Sequence, residues 1–440
     1  MTKKYLTDLK TLSDQLISIQ RPIRILDSIK WPYEWRENII RSEARELPKA
    51  DQAYYQSMEA DYDYDTKRQE LKTLSQDINT RLGKTDPLAK ILLATTDQYL
   101  QVLELVKFRG SKEFGTFSKR LYGSTHDHLS GDYRNLWEIG KNLGAVFSHP
   151  AAAHLSFQHK KDLNAQQSVE YLTNKLNNYF AAGDFKVVLS DGIVSDAAAG
   201  GDAIKLNAKA VFSERELRVL EVHEGWVHVG TTLNGRNQPW ASWLSIGSPR
   251  IAAHQEGLAV LIETLTFSSF PSRARRISDR VNAIYLAESG ADFREVYLAL
   301  MSQGQSEIEA YSITQRIFRG APLTGGAPFT KDLSYVRGFV EIVNFIRSAI
   351  QLGLPELLPM LFIGKVHIDD IAPLYQAYLD GIILPPKNLP DMFKDLNGLY
   401  VWFGFSSGVA MMDIERVKAH FIASLSDLPD ACPIEMSPQK

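Results

Sequence analysis

The sequence predicts an α+β fold that is predominantly helical and carries one small sheet. Three observations predict it. Apolar residues recur at three- and four-residue spacings over most of the 440 positions. Two short β-rich runs, 185–190 (FKVVLS) and 203–207 (AIKLN), interrupt the helical pattern, with Gly200 and Gly201 in a turn between them. A capped helical segment then carries two histidines and a glutamate. The composition is that of a folded globular chain, 44% hydrophobic and 23% charged, which excludes a disordered or collagen-like protein.

Each element follows in order. Residues 1–30 read as an amphipathic helical stretch, with Leu6, Leu9, Leu12, Leu16 and Ile17 on one face. Residues 31–65 are rich in Tyr, Trp and acids and read as loop with short helices. Two helices follow over 65–82 and 87–108, the second opened by Pro87 in its first turn. The Gly-, Ser- and His-rich stretch 110–135 reads as loop or short helices, and 166–180 as another helix. After the two strands, helices are expected near 213–230, 249–267, 274–289, 292–303, 305–319, 331–352 and 368–380. The boundary falls near residue 160, giving an N-terminal helical region (1–160) and a catalytic domain (161–440).

The net charge is −3 and the single cysteine is Cys432. No overall basic field exists to hold nucleic acid or anionic lipid, and neither an intrachain disulfide nor a Cys-rich metal site can form. The first twenty residues lack the apolar core of a signal peptide. The apolar run 400–412 (YVWFGFSSGVAMM) is too short to span a bilayer. The expected setting is therefore cytoplasmic, with no nucleic-acid or membrane partner; oligomeric state is left open.

The segment with chemistry in it is His223-Glu224-Gly225-Trp226-Val227-His228, H-E-x-x-x-H. With ten histidines in the chain, chance supplies on the order of 0.01 to 0.02 such hexapeptides. Zinc takes imidazole nitrogens and leaves one position open in catalytic sites, and a Glu beside the first His takes the proton of an activated water. In the shorter H-E-x-x-H spelling, four residues bring both histidines to one helix face. Here the spacing is five, which on a regular helix sets the second His roughly 140° from the first. The two converge only if the helix carries a π-type insertion or unwinds after Gly225. Ser213 and Glu216 form a capping-box pattern, which puts the pair well inside a helix. The competing reading is two unrelated histidines and a surface Glu.

A third ligand is expected from the run His254-Gln255-Glu256-Gly257-Leu258-Ala259. Its apolar neighbours suggest a mostly buried helix, where a carboxylate is costly unless it is paired or binds metal. Glu256 is the better candidate; His254 points about 200° away from it around the helix. The alternative for Glu256 is a buried ion pair with Arg250 or another base. Glu263, near the same face, is placed to orient a ligand histidine from behind.

The run HEGWVHVGTTLNGRNQPWASWLSIGSPRIAAHQEGLAVLIE resembles a bacterial family named for its Gln-Glu-Gly-Leu-Ala motif and described as flavohemoglobin expression-modulating. That family is similar to eukaryotic microtubule-associated tyrosine carboxypeptidases, which remove the terminal tyrosine of α-tubulin. The resemblance runs from about residue 60 to 400 and includes Arg319-Gly320 and Phe329-Thr330-Lys331-Asp332. It implies a zincin-like metallopeptidase core, zinc held by His223, His228 and Glu256, and Glu224 as general base. His254 and Arg250 depart from the family pattern, which bears on substrate preference.

The expected activity is zinc-dependent hydrolysis of a peptide or protein C-terminus, removing a C-terminal residue, with an aromatic one as a candidate. An endo- or aminopeptidase with the same metal core is one alternative; a regulatory or binding protein with a structural or vestigial zinc is another. Substrate is expected along an edge strand, for which 203–207 is the candidate. Arg316, Arg319 and Lys331 are candidates for the substrate carboxylate, and Tyr335 for an oxyanion donor; each also reads as a structural charge or a buried Tyr. Four decoys are set aside. His149 and His154 share the spacing but lack an adjacent Glu. His126-Asp127-His128 reads as an inert loop pair. Residues 61–65 lack the Gly and Glu of a calcium loop. Cys432 has no activating context.

Overall fold

The computed structural model describes residues 2–149, 151–152, 155, 159–181, 183–191, 193 and 195–425; His154 and Cys432 lie outside them. Helix α1 (Lys3–Gln20) buries Leu9, Leu12 and Leu16 as a single stripe. The first thirty residues are not one helix: the chain turns at Arg21 and Pro22, where proline cannot donate to a continuing ladder. Helix α2 (Tyr64–Arg81) starts at Asp63, whose carboxylate accepts from Thr66 N at 2.8 Å; the acidic run there is a helix cap. Helix α3 (Pro87–Lys107) has Pro87 in its first turn and Asp86 as its cap. Helices α4 (Lys112–Tyr122) and α5 (Leu136–Phe147) follow. α4 lies inside the stretch read as loop or short helices.

Strands β1 (Leu163–Asn164), β2 (Lys186–Ser190), β3 (Ala197–Gly200), β4 (Ala203–Asn207) and β5 (Val211–Phe212) form two small sheets, with helix α6 (Ala165–Leu176) after β1. β1 pairs antiparallel with β5. The other sheet has the order β2-β4-β3, with β4 parallel to β2 (Val187↔Ile204) and antiparallel to β3 (Ala199↔Ile204). This corrects one expectation. β4 is the central strand of its sheet, and the edges are β2 and β3, of which β3 lines the large cleft. The run Ala197-Ala198-Ala199-Gly200 has neither β-branched residues nor alternation, so no local preference marks it; pairing with β4 makes it a strand.

The rest is helical: α7 (Glu214–Leu220), a π-helical segment (Glu221–Val229) and α8 (Gly230–Arg236) in one continuous run, then α9 (Pro249–Leu265), α10 (Pro271–Glu288), α11 (Phe293–Ser302), α12 (Glu307–Phe318), α13 (Ser334–Gln351), α14 (Ile371–Leu379), α15 (Asn397–Val409) and α16 (Ile414–Leu425). The fold is thus predominantly helical with small sheets. Among the described residues no helix is long and apolar enough to cross a membrane. One apolar core joins N-terminal side chains such as Leu12, Leu92 and Phe114 to Leu258, Ile262, Phe318 and Ile346. A second, smaller core packs Leu172 and Leu176 of α6 and Ile204 and Leu206 of β4 against Leu217, Val229 and Leu233 of the histidine-bearing run. The π segment is wedged between the two cores, with Val222 and Val227 in the first and Val229 in the second.

Helix α9 packs closely on α13. Gly257 lies against the Gly338 backbone, and a side chain at Gly338 would land on the Ala253 carbonyl. Only glycine permits this approach, and it fixes the depth at which Glu256, the neighbour of Gly257, enters the site.

Candidate metal centre

The five-residue spacing is resolved by the backbone. Residues Glu221–Val229 are π-helical, and the Gly230 N–H reaches the Gly225 carbonyl five residues back. With i→i+5 bonding, positions five apart share a face, so His223 and His228 converge with ring centroids 4.9 Å apart. The run begins at the capping box expected from the sequence: Ser213 Oγ accepts from Glu216 N and Glu216 Oε2 from Ser213 N. Gly225 is packed on α6, where an added side chain would meet Leu176. Where π gives way to α, side chains cover the carbonyls: Thr232 Oγ1 donates to His228 O at 2.8 Å and Thr231 Oγ1 to Val227 O at 2.6 Å. A π segment inside an α-helix persists only where its surroundings over-determine it.

Glu256 enters from α9. Its Oε2 lies 3.4 Å from His223 Nε2 and 3.6 Å from His228 Nε2, and it is buried without a hydrogen-bond partner. Oε1 faces Lys331 Nζ at 3.5 Å, so Lys331 is the base beside Glu256; Arg250 instead forks Asp370. Two imidazole nitrogens and one carboxylate oxygen, all within 4.8 Å of one another, form a donor set that can hold a divalent metal. Bonds of about 2.0–2.2 Å to a tetrahedral ion put donor atoms about 3.3–3.6 Å apart, and the two His–Glu separations match that. A buried carboxylate oxygen without a hydrogen-bond partner, lying between two imidazole nitrogens, is what such an ion would satisfy.

Behind this set, Glu263 Oε1 lies 2.6 Å from His223 Nδ1. Arg273 grips Glu263 with two bonds of 2.7 Å. Burial opposes ionisation of Glu263, but the Arg273 charge outweighs it and holds the carboxyl down to about 2. A carboxylate only accepts, so His223 Nδ1 carries the hydrogen and Nε2 faces Glu256. This is the orienting role read for Glu263 from its spacing. Burial likewise opposes charge on Glu256, and Lys331 and the two histidines hold it well below its ordinary value.

Glu224 lies beside the cluster, and its Oε2 accepts from the Ala199 N–H of β3 at 2.9 Å. The register explains the contact. Asn207 N donates to Asp196 O, so the outward-facing backbone groups of β3 are those of Ala197 and Ala199. The edge strand therefore runs along the same cleft as the cluster. That cleft has a volume of about 1010 Å³ and is lined by Glu224, His223, His228 and Glu256, by Ala197 to Gly201, and by a cationic wall from α10 and beyond.

Of the four other candidates, three line the cleft: Arg316, Lys331 and Tyr335. Arg316 is engaged in a fork on buried Asp332, at 2.5 and 2.8 Å. Arg319 lies buried behind this pair, where burial and the neighbouring Arg316 charge lower its guanidinium to about 10. Tyr335 is sandwiched against Arg280, whose guanidinium carbon sits 4.9 Å from the ring centre. Burial raises the Tyr335 hydroxyl pKa, so it stays a donor. His254 is not in the cluster; it faces Glu341 at 3.1 Å and packs on the His367 ring.

Sequence reasoning missed Arg273, Arg276, Arg280 and Lys365. The three arginines had a readable signal, since spacings of three and four put them on one face of α10. Lys365 had none. It reaches in from a loop to donate to His228 O at 3.1 Å and Gln255 Oε1 at 2.9 Å, joining the two metal-facing elements.

Fold and site together define a predominantly helical α+β protein with a His/His/Glu cluster that could hold a metal ion, in an arginine-walled cleft. The chain belongs to the microtubule-associated tyrosine carboxypeptidase family, whose model matches residues 37–411. No curated protein matches it. A solved structure described as a lipoprotein from Colwellia psychrerythraea is similar at 13% identity and a TM-score of 0.40, covering 72% of this chain and 70% of that one.

Proposed function

We propose that this protein is a zinc-dependent carboxypeptidase acting on peptide or protein C-termini, with His223, His228 and Glu256 as the zinc ligands and a zincin-like arrangement of helix and edge strand. The observation that carries the reading is Glu256 Oε2, buried and without a hydrogen-bond donor between two imidazole nitrogens. Zinc bound there supplies a Lewis acid and lowers the pKa of water towards 7.

The chain's own residues do the rest. Glu224, tethered by the Ala199 amide, takes a proton from the attacking water and hands it to the leaving amine. With the Ala199 N–H on Glu224 and the Ala197 carbonyl accepting from Ser195 Oγ, the outward Ala197 N–H and Ala199 carbonyl hold the substrate backbone as an added strand. Tyr335 donates its hydroxyl hydrogen to the oxygen on which charge develops. For the terminal carboxylate, Arg280 and Lys331 are the available cations. Arg316 spends its fork on Asp332, whereas Arg280 Nε is buried without a hydrogen-bond partner, 3.5 Å from Asp332. Arg316 and Asp332 then brace that wall. Phe270 in the cleft lining and the family's description as tyrosine carboxypeptidases support an aromatic terminal residue.

The test uses two peptides that differ only in a free or an amidated C-terminus. The free peptide is shortened by one residue and the amidated one is spared; Glu224→Gln stops hydrolysis and keeps the metal. Equal cleavage of both peptides contradicts the exopeptidase reading. A wild-type protein that binds zinc and cleaves neither supports a regulatory role instead.

A further inference from the structure

We propose that the outward face of α15 is the interface of a homodimer, in which two copies of this chain cross at Gly404 and Gly408. Only Leu399, Phe403 and Ser407 of α15 are buried. They lie every fourth residue and form one stripe against the body, where Arg347 Nε of α13 donates to Ser407 Oγ at 3.1 Å. The other side of the helix turns Tyr400, Val401, Trp402, Phe405 and Val409 to solvent, followed by Met411 and Met412; Phe405 is 74% exposed and Met411 88%.

These seven side chains expose on the order of 900 Å² of apolar surface, taking roughly 150–250 Å² for each large one. The largest apolar patch of a typical monomer is about 300–600 Å². A stable interface buries about 800 Å² from each partner, a size of the same order as this exposed face. It is also shaped for close approach. A side chain added at Gly404 or Gly408 would meet nothing, so a second helix can lie directly on that groove.

The absence of charge selects a second copy of the chain. Residues 397–412 contain no Asp, Glu, Lys or Arg, so a two-fold axis through the face opposes no like charges. The exposed apolar surface continues into α16 through Ile414, Phe421 and Ile422, bordered by the pairs Asp413–Arg416 and Glu415–Lys418.

Sedimentation velocity on the full-length chain tests this. The wild type sediments as a dimer of 49.5 kDa chains that dissociates on dilution. Phe405→Glu and Gly408→Leu each weaken the dimer by on the order of tenfold or more, with circular dichroism and zinc content unchanged. In a Cys432→Ser background, Gly404→Cys joins two copies through a disulfide. A wild type that stays monomeric at every concentration overturns the proposal, as does a dimer indifferent to both substitutions. So does a monomer that co-sediments with phosphatidylcholine–phosphatidylglycerol vesicles, which would assign the face to lipid.

Discussion

Glu263 makes a sharp test because it has two separable partners. Its carboxylate is fully buried, accepts two 2.7 Å bonds from Arg273 and one of 3.2 Å from Ser269 Oγ, and faces His223 Nδ1 at 2.6 Å. Glu263→Ala leaves the Arg273 guanidinium, partly buried at the cleft wall, without its partner. Stranding one partner of a buried pair costs about 3–5 kcal/mol. The same change removes the acceptor that orients His223, and losing such support lowers metal affinity roughly 10–100-fold, or about 1.4–2.7 kcal/mol. The two effects part in the double variant Glu263→Ala/Arg273→Met. Removing both charges restores much of the stability, but His223 Nδ1 still lacks its acceptor, so zinc affinity stays low. Urea unfolding of metal-free protein reads the first effect, and zinc competition against a fluorescent chelator reads the second. Unchanged zinc affinity in the single variant, or affinity restored with stability in the double, refutes the reasoning.

Three further outcomes follow from the packing. Gly338→Ala forces α13 off α9 at the Ala253 carbonyl; it destabilises by about 3 kcal/mol or more and weakens zinc binding in proportion, both read by unfolding with and without zinc. Lys365→Met removes the donors to His228 O and Gln255 Oε1 and lowers zinc affinity by on the order of tenfold in the same competition assay, whereas a merely space-filling lysine predicts no change. Arg280→Met raises KM for free-carboxylate peptides by on the order of tenfold with a smaller effect on kcat and none on zinc content; Arg316→Met instead removes the fork on buried Asp332, leaving it the 3.5 Å contact with Arg280, and appears mainly as lost stability, about 1.5–3 kcal/mol.

Much of the centre was legible because spacing constrained it. A five-residue gap on a regular helix separates the histidines, so the motif itself demanded an inserted residue, and a π segment over Glu221–Val229 supplies it. Glu256 stood out as a carboxylate within an apolar run, and Glu263 as its neighbour two turns on. β3 was illegible because Ala-Ala-Ala-Gly has no strand preference of its own; its partner β4 alone makes it a strand. Lys365 was illegible for a related reason. It reaches His228 across 137 positions of sequence, and no local pattern encodes such a contact. Arg319 looked no different from Arg316 in sequence, yet three residues of α12 turn and one cap carry it behind the wall that Arg316 lines. The break after α1 was written in Pro22 and overlooked because the apolar stripe upstream is so regular.

The central claim is that three side chains from two helical elements meet at one divalent ion. Metal content of the purified full-length protein, wild type beside His228→Ala and Glu256→Gln, tests it most directly. The account predicts one zinc per wild-type chain and little in either variant, with the helical circular dichroism retained in all three. A wild type that takes up no zinc from solution, or variants that hold it as tightly as the wild type, would contradict it.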